Sequence, residues 1–228
     1  MEFAKVSVQI NTTKGQTILD LVDTKIALHS INLVLGQSGS GKSTFLKYLT
    51  GSKGFWDGLQ VFPKSEFPFP PNTKFQYVFQ DSLPAFRKDW TILRSLLEPF
   101  LFLETKLSEN QKLEILEEES EGWIPIGKYK NAFPSEVSGG ELQRLALLRS
   151  LTYRPTILLL DEITSALDPI STNAILQKLI AHQRLHKETI VFVTHSASVV
   201  QKIGDYVSVF ENGTCIEQRV AALPSSPK

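Results

Sequence analysis

The residues with the clearest chemical potential in this chain of 228 amino acids form one glycine-rich segment. It fits the pattern G-x-x-x-x-G-K-[ST], and its members are Gly36, Gln37, Ser38, Gly39, Ser40, Gly41, Lys42 and Ser43. The glycines let the backbone curl so that its N–H groups, with the N-terminus of a following helix, can bind a polyphosphate. Lys42 would reach the terminal phosphates, and the Ser43 hydroxyl would be a ligand of Mg²⁺. The segment predicts a nucleotide site; the alternative interpretation is a glycine-rich turn before an ordinary helix.

A pair of carboxylates, Asp161 and Glu162, follows the apolar run 157–160. If that run is a parallel strand, its carboxyl end meets the same crevice as the glycine-rich segment. Asp161 can then hold Mg²⁺, directly or through water. Glu162 can face the γ-phosphate and polarise an attacking water. The alternative is two solvated acids at the end of a strand.

A second anion site is predicted around Ser138. Ser138 is a good N-cap, and Glu141 three residues later completes a capping box. Gly139 and Gly140 leave the first N–H groups of the predicted helix accessible. Because the glycine-rich segment already serves one nucleotide, the second site indicates another nucleotide that is shared with another subunit.

Charge and composition narrow the class of protein. Lysine plus arginine and aspartate plus glutamate are balanced at 24 each, so no basic surface for nucleic acid is indicated. A single cysteine, Cys215, excludes an intramolecular disulfide and argues against thiolate metal sites and iron–sulfur clusters. The first residues lack a signal-peptide pattern, and no apolar stretch approaches the roughly 20 residues of a membrane span. These features predict a protein of a reducing, cytosolic compartment that reaches a membrane only through a partner.

Strands and helices that could position these residues follow from the hydrophobic pattern. Strands are predicted at Phe3–Ile10, 18–26, Ile31–Leu35, Phe75–Phe79 (ending at Gln80), 157–160 and 190–193, and a hairpin is predicted around Asn212-Gly213. The runs 157–160 and 190–193 are typical of parallel strands covered on both faces, with a crossover helix over 174–185 between them. Together these elements predict an α/β core around a mainly parallel sheet, with N-terminal antiparallel strands and a helical insert near residues 82–150.

Three further segments lie around this core. Residues 62–71 are rich in proline and phenylalanine and predict a surface loop or an edge strand. A helical region is predicted over about 91–121, with a capping box at Ser108–Gln111 and a stop at Gly122. The acidic run Glu117–Glu119 predicts a solvated helix face. The tail from Leu223 is expected to fray.

In their order along the chain these motifs resemble those of the ATPase subunits of ATP-binding-cassette (ABC) transporters, over nearly the whole length. In that family Ser138–Gly140 corresponds to the signature motif, usually L-S-G-G-Q and here V-S-G-G-E. Gln80 matches the glutamine at the lobe junction, which touches Mg²⁺ and senses the permease. Asp168, in Ser165-Ala166-Leu167-Asp168, matches the loop that crosses the dimer interface. His195 matches the histidine that contacts the γ-phosphate.

The resemblance implies a P-loop NTPase fold in a single ABC ATPase domain over residues 1–228, with a core lobe (1–80 and 151–228) and a helical lobe (81–150). It implies ATP hydrolysis, with ATP and Mg²⁺ as cofactors. The catalytic residues would be Glu162, His195, Gln80 and Lys42, and the residues that hold Mg²⁺ would be Ser43, Gln80 and Asp161. ATP would be bound by residues 36–43 with Thr44, and by Ser138, Gly139, Gly140 and Asp168.

Partners are also implied by the resemblance. They are integral-membrane permease subunits, a second ATPase subunit of the same or a different kind, and indirectly a substrate-binding protein, with no nucleic acid. The expected location is peripheral, on the cytoplasmic side of the inner membrane. Phe79–Ser82, Trp90–Ile92 and Glu98-Pro99 resemble the nickel, dipeptide and oligopeptide importer branch. A chain that stops soon after the hairpin resembles the shorter nickel or metallophore members. The alternatives are an exporter ATPase, a soluble ABC ATPase without a permease, and a small-molecule kinase.

Two positions depart from the family's pattern. Thr12 stands where the family usually has an aromatic residue that stacks on adenine. By analogy with base stacking elsewhere, its loss would weaken ATP binding by roughly ten- to a hundredfold. Glu141 stands where the signature usually has glutamine, and its role in a capping box would turn the carboxylate back toward Ser138.

Overall fold

Two β-sheets organise the part of the chain that the computed structural model describes, which is residues 1–51, 58–102 and 106–221. The strands are β1 (Phe3–Thr12), β2 (Thr17–Ala27), β3 (Ile31–Gly36), β4 (Leu59–Pro63), β5 (Phe75–Val78), β6 (Ile157–Asp161), β7 (Thr189–Val193), β8 (Tyr206–Glu211) and β9 (Thr214–Val220). The α-helices are α1 (Lys42–Leu49), α2 (Ile92–Leu97), α3 (Glu109–Ser120), α4 (Gly139–Thr152), α5 (Pro169–His186) and α6 (Ala197–Lys202). None of the helices in these described ranges is both long and apolar enough to cross a membrane.

The smaller sheet is antiparallel and has the strand order β2-β1-β4. Phe3 of β1 lies opposite Ala27 of β2, and Thr12 lies opposite Leu59 of β4. β4 is an edge strand that ends at Pro63, which fits because proline cannot donate a ladder hydrogen bond. The predicted N-terminal strands and the predicted loop or edge in the proline-rich segment are confirmed.

The larger sheet brings the ends of the predicted site strands together. Its order is β5-β6-β7-β3-β8-β9, and all neighbours are parallel except β8 and β9. The hairpin between β8 and β9 turns at Asn212 and Gly213, whose φ angles of 47° and 79° suit a tight hairpin turn. Parallel strands end at one edge of the sheet, so the segments that follow β3, β5, β6 and β7 all emerge on the same side. The predicted α/β fold with a mainly parallel sheet is confirmed.

Both faces of the larger sheet are buried at its central strands β6 and β7, and successive residues of these strands enter different cores. In β6, Leu158 and Leu160 pack with α4 and α5, whereas Ile157 and Leu159 pack with α1 and the smaller sheet. The corresponding residues of β7 alternate in the same way. This arrangement explains the continuous apolar runs, since every side chain of such a strand meets a covered face.

The segment between β5 and β6 contains α2, α3 and α4. The helical region predicted over 91–121 is interrupted, because α2 ends at Leu97 and Pro99 lies in a 3₁₀ turn over Glu98–Leu101. The predicted capping box of α3 is confirmed by reciprocal hydrogen bonds between Ser108 and Gln111. The predicted fraying of the tail from Leu223 lies outside the described residues.

The acidic run in α3 is only partly the solvated face that its charge predicts. Glu117 and Glu118 are exposed, but the Glu119 side chain is 17% exposed and its Oε2 lies 2.9 Å from Nζ of Lys178 on α5. Glu119 follows the buried Leu116 by one helical turn, so helical periodicity directs it toward the neighbouring helix. Three consecutive acids therefore have different environments.

The N-terminus of α4 is fixed by Glu141. Its carboxylate accepts hydrogen bonds at 2.6 Å from Lys128 Nζ, Tyr129 OH and Ser138 Oγ, and the reciprocal bonds of a capping box with Ser138 are present. These donors lower the pKa of Glu141 well below its ordinary value of 4.5, and Lys128 makes the largest contribution. The carboxylate turns back to Ser138, as predicted, and its charge is compensated within the chain.

Replacing Glu141 with glutamine should lower the free energy of unfolding at neutral pH, because the amide can keep the cap but loses the ion pair with Lys128. The pKa of Glu141 is depressed in the folded state, so this stabilisation is complete above pH 4.5 and is lost as the pH falls through the lowered value. Urea unfolding at several pH values measures this. The difference in the free energy of unfolding between wild type and variant should become smaller as the pH falls below 4.5. Glu118→Gln, an exposed neighbour on α3, is the control. A gap that stays constant with pH would contradict this role.

Candidate nucleotide site

The glycine-rich segment forms the loop between β3 and α1. Gly36 and Gly41 have φ angles of 153° and 92°. A Cβ at Gly36 would lie 2.3 Å from the Phe210 carbonyl oxygen, and one at Gly41 would lie 2.5 Å from Cδ2 of Leu19. Glycine is therefore required at both positions by backbone geometry and by close packing. Gln37, Ser38 and Gly39 form the exposed part of the loop, and Thr44 is half-buried in the first turn of α1.

Several donors of this loop suit an anion. Gly41 supplies no side-chain cap, so the first N–H groups of α1 are not occupied by one. Lys42 is buried, and its amino group donates to the carbonyl oxygens of Gly36 (2.9 Å) and Gln37 (2.8 Å). An ammonium group has three donors, so one remains for a phosphate oxygen. The Ser40 hydroxyl is buried and has no hydrogen-bond partner among the described residues. These features fit a bound polyphosphate.

The oxygen ligands expected for Mg²⁺ lie beside this loop. Ser43 Oγ donates to Oδ1 of Asp161 at 3.1 Å, so α1 and the end of β6 meet at these two side chains. Mg²⁺ is held by a few hard oxygen ligands together with water and substrate phosphates, and this pair fits such a site. Gln80 instead donates to Ser165 Oγ at 3.3 Å. No hydrogen bond within the described ranges joins it to Ser43 or Asp161, so its contact with Mg²⁺ stays a prediction.

Tyr77 is a site residue that the sequence did not reveal. Its hydroxyl donates to Oδ2 of Asp161 at 2.6 Å, while Oδ1 faces Ser43. Burial, and then the bond to Asp161, raise the pKa of Tyr77, so the phenol stays protonated and remains a donor. In the sequence, Tyr77 is only a tyrosine one residue before the end of a strand. The pairing of β5 with β6, which the sequence pattern does not specify, brings it to Asp161.

Glu162 and His195 meet at the same edge. Glu162 Oε2 lies 3.2 Å from Nδ1 of His195, which follows β7. The backbone of Glu162 has a φ of 49°, and its N–H donates to the Val193 carbonyl at 3.0 Å. A left-handed conformation at a residue other than glycine typically costs about 1–3 kcal/mol and is concentrated at functional sites. This turn takes Glu162 out of the line of β6, as the sequence predicted.

The signature segment lies apart from the phosphate loop within one chain. Ser138 caps α4, and Gly139 and Gly140 begin it. Gly140 packs near Leu167, and both signature glycines line a cavity with Gln80. Across the described residues, no hydrogen bond joins Ser138–Gly140 to the loop at 36–43. The chain thus presents two separate helix ends that suit anions.

Asp168 has a local role at the N-terminus of α5. Its carboxylate accepts hydrogen bonds from the backbone N–H groups of Ile170 (2.9 Å) and Ser171 (3.0 Å). The bonds with Ser171 lower the pKa of Asp168, so the carboxylate is charged at neutral pH. Its expected place at a dimer interface stays a prediction.

Thr12 lies at the end of β1, and its hydroxyl accepts a hydrogen bond from the N–H of Gln16 at 3.1 Å. β2 begins after this turn, and its Leu19 packs against Gly41 of the phosphate loop. The turn between β1 and β2 therefore leads into the strand that packs against the phosphate loop.

Comparison with known proteins identifies similar sequences and folds. A sequence model described as ABC transporter matches residues 19–165. A relative from Staphylococcus epidermidis, "Methionine import ATP-binding protein MetN 1", is 34% identical over 226 residues, covering 95% of this chain and 64% of the relative. One from Acinetobacter baylyi, "Methionine import ATP-binding protein MetN 2", is 34% identical over 218 residues, covering 90% of this chain and 61% of the relative. The chain thus spans less than two thirds of the length of these relatives.

Solved structures of similar fold include ABC transporter cassettes. The dimeric ATP-binding cassette MJ0796, in a post-hydrolysis state bound to ADP and Pi, is 25% identical with a TM-score of 0.76, covering 96% of this chain and 98% of that one. The cbiO1 protein from Clostridium perfringens, part of the ABC transporter complex cbiONQ, shares the fold, with 21% identity, a TM-score of 0.70, and coverage of 95% and 89%. With the matching sequence model and the geometry of the phosphate loop, they lead to one conclusion: this chain belongs to the ABC transporter family, as an ATPase domain of that family.

Proposed function

We propose that the chain binds and hydrolyses ATP as the motor subunit of an ABC importer. One observation carries the proposal. Glu162 is held in a left-handed conformation 3.2 Å from His195, directly after Asp161, which contacts Ser43 of the phosphate loop. A carboxylate placed next to a phosphate site and a metal ligand can accept a proton from water or orient it.

Each residue of this edge has a role in the proposal. Lys42 and the N–H groups of residues 36–44 bind the phosphates. Ser43, Asp161 and Gln80 would hold Mg²⁺, which when bound neutralises charge on the phosphate oxygens. Tyr77 is a positioning residue, because it fixes the second oxygen of Asp161. His195 orients Glu162 and donates to the γ-phosphate.

A second ATPase subunit completes the site in this proposal. The signature helix end at Ser138–Gly140 would bind the ATP that the phosphate loop of the partner holds, with Asp168 at the interface. Two separate anion-binding helix ends in one chain support this arrangement. The cassette MJ0796, which is similar in fold, has been solved as a dimer. A permease and, indirectly, a substrate-binding protein are the further partners, and they would place the chain on the cytoplasmic face of a membrane.

The cargo proposed first is methionine. The relatives reported above are named as methionine import proteins, whereas the sequence motifs indicated nickel or peptides. Uptake of labelled methionine by cells with and without the gene, with nickel and a dipeptide as competing cargoes, tests this choice. Loss of nickel or peptide uptake alone would reinstate the branch that the sequence indicated.

Replacing Glu162 with glutamine should leave ATP binding intact and lower turnover by about a hundredfold or more, because the amide keeps the shape but cannot accept a proton. ATP affinity by titration and phosphate release by the assembled complex measure the two effects. Glu118→Gln, on the exposed face of α3, is the control. Turnover like that of the wild type in the Glu162 variant would refute the assigned role.

Replacing Tyr77 with phenylalanine should raise the Mg²⁺ concentration needed for half-maximal ATPase activity by about tenfold, because Asp161 loses its fixed donor. Turnover at saturating Mg²⁺ should be nearly retained. Tyr153→Phe is the matched control, since Tyr153 follows α4 and packs near Phe102. An unchanged Mg²⁺ dependence would show that the bond to Asp161 does not position the metal ligand.

Replacing Thr12 with tyrosine should tighten ATP binding by roughly ten- to a hundredfold, because a ring at this position can stack on adenine. Titration with a fluorescent ATP analogue measures the change. Thr12→Val removes the hydroxyl that accepts from Gln16 without adding a ring, and so separates stacking from an altered turn. If affinity does not rise in the tyrosine variant, adenine is bound elsewhere.

A further inference from the structure

Three side chains that commonly bind metals converge between α3 and α5. Glu119 lies at the end of α3, and His182 and His186 lie one turn apart near the end of α5, so they share a face of that helix. Glu119 Oε1 is 3.8 Å from Nε2 of His182 and 3.9 Å from Nε2 of His186. One ligand atom from each residue lies within 4.8 Å of the other two.

His182 supplies an independent sign that something binds here. Its side chain is 2% exposed, and its Nδ1 lies 2.6 Å from Oε1 of the buried Glu188. A carboxylate accepts only, so in the neutral ring Nδ1 carries the proton and Nε2 carries a lone pair. Nε2 is buried and has no hydrogen-bond partner among the described residues. It lies 3.8 Å from Oε1 of Glu119, so two acceptors oppose each other, which is unfavourable unless a proton or a metal cation lies between them.

The pairing of His182 with Glu188 is the arrangement that orients histidine ligands in metal sites. A carboxylate bound to one ring nitrogen fixes the tautomer and increases the basicity of the other nitrogen. Bonds of about 2.0–2.2 Å in a tetrahedral zinc site place neighbouring ligand atoms about 3.3–3.5 Å apart. The separations of 3.8 and 3.9 Å need only a small inward rotation of the side chains to reach this geometry. Two imidazoles and a carboxylate suit Zn²⁺ and similar transition metals better than Mg²⁺ or Ca²⁺.

The surrounding charges do not exclude a divalent cation. Lys178 pairs with Oε2 of Glu119, which leaves Oε1 directed at the two histidines. Arg154 adds a second positive charge near His186, and Glu188 adds a second carboxylate. The charged side chains around the site therefore balance.

We propose that Glu119, His182 and His186 form a binding site for one divalent transition-metal ion of the zinc class, which links α3 to α5. This site differs from the one expected for Mg²⁺. α5 begins at Pro169 after the carboxyl end of β6 and ends at His186, just before β7 begins. A helix of its length spans about 27 Å, so the cluster lies toward the opposite edge of the sheet from Ser43 and Asp161.

Titration of the full chain with Co²⁺, and competition between the chain and a chromophoric chelator for Zn²⁺, test the proposal. Both are done without nucleotide and with excess Mg²⁺. We expect one equivalent of either metal, visible absorption bands typical of four-coordinate Co²⁺, and a higher melting temperature with Zn²⁺. Absence of binding by the wild-type chain would overturn the proposal.

Variants at the two more accessible ligands carry the second part of the test, because His182 is in the core and its replacement can prevent folding. Glu119→Gln and His186→Gln should each weaken metal binding by about tenfold or more, and Zn²⁺ should no longer raise their melting temperatures. Glu118→Gln and His29→Gln are the matched controls and should bind like the wild type. Equal binding by all variants, or a loss in either control, would refute the site.

Discussion

The candidate nucleotide site depends on the register of four parallel strands. Val193 of β7 pairs with Asp161 of β6 on one side and with Val34 of β3 on the other. Gly36, where the phosphate loop begins, follows Val34 by two positions, and His195 follows Val193 by two positions. Because side chains alternate along a strand, a slip by one residue would turn Asp161 away from Ser43 and would exchange the residues between the two cores. The same register that fills the core thus aligns the residues proposed to act on ATP.

A buried amide side chain, that of Asn32 in β3, is compatible with this register. Its side chain accepts from the Ala27 N–H at 2.7 Å and donates to the Ala27 and Ile190 carbonyls at 2.8 and 3.2 Å. Each partner is a backbone group, so the amide compensates its own desolvation. It also joins the end of β2 to β3 and β7. The connection between the two sheets is therefore specified by hydrogen bonds as well as by apolar packing.

Much of the fold and of the nucleotide site could be predicted because the signals are local. Gly36–Ser43 has a fixed spacing, and the strand before Asp161 is a continuous apolar run. What could not be predicted depends on contacts between distant segments. Tyr77 reaches Asp161 across 84 positions, and Glu119 is turned from solvent by a helix that begins far along the chain. Neither contact changes the local sequence pattern, so periodicity and composition leave Tyr77 as an ordinary strand residue and Glu119 as a surface acid.

The insert between β5 and β6 contacts α5 at two places, one near the N-terminus of α5 and one in its C-terminal half. These two contacts limit how the insert can move relative to α5. Near the N-terminus, Arg144 of the signature helix donates to Ser171 at 2.9 Å, and Ser171 also donates its N–H to Asp168. Toward the C-terminus, Glu119 of α3 pairs with Lys178 in the middle of α5 and lies 3.8 Å from His182 near its end. A rotation of the insert about one of these contacts must shift the other, because α5 is a rigid element between them. The signature helix and the contact between α3 and α5 are therefore supported by the same helix, α5.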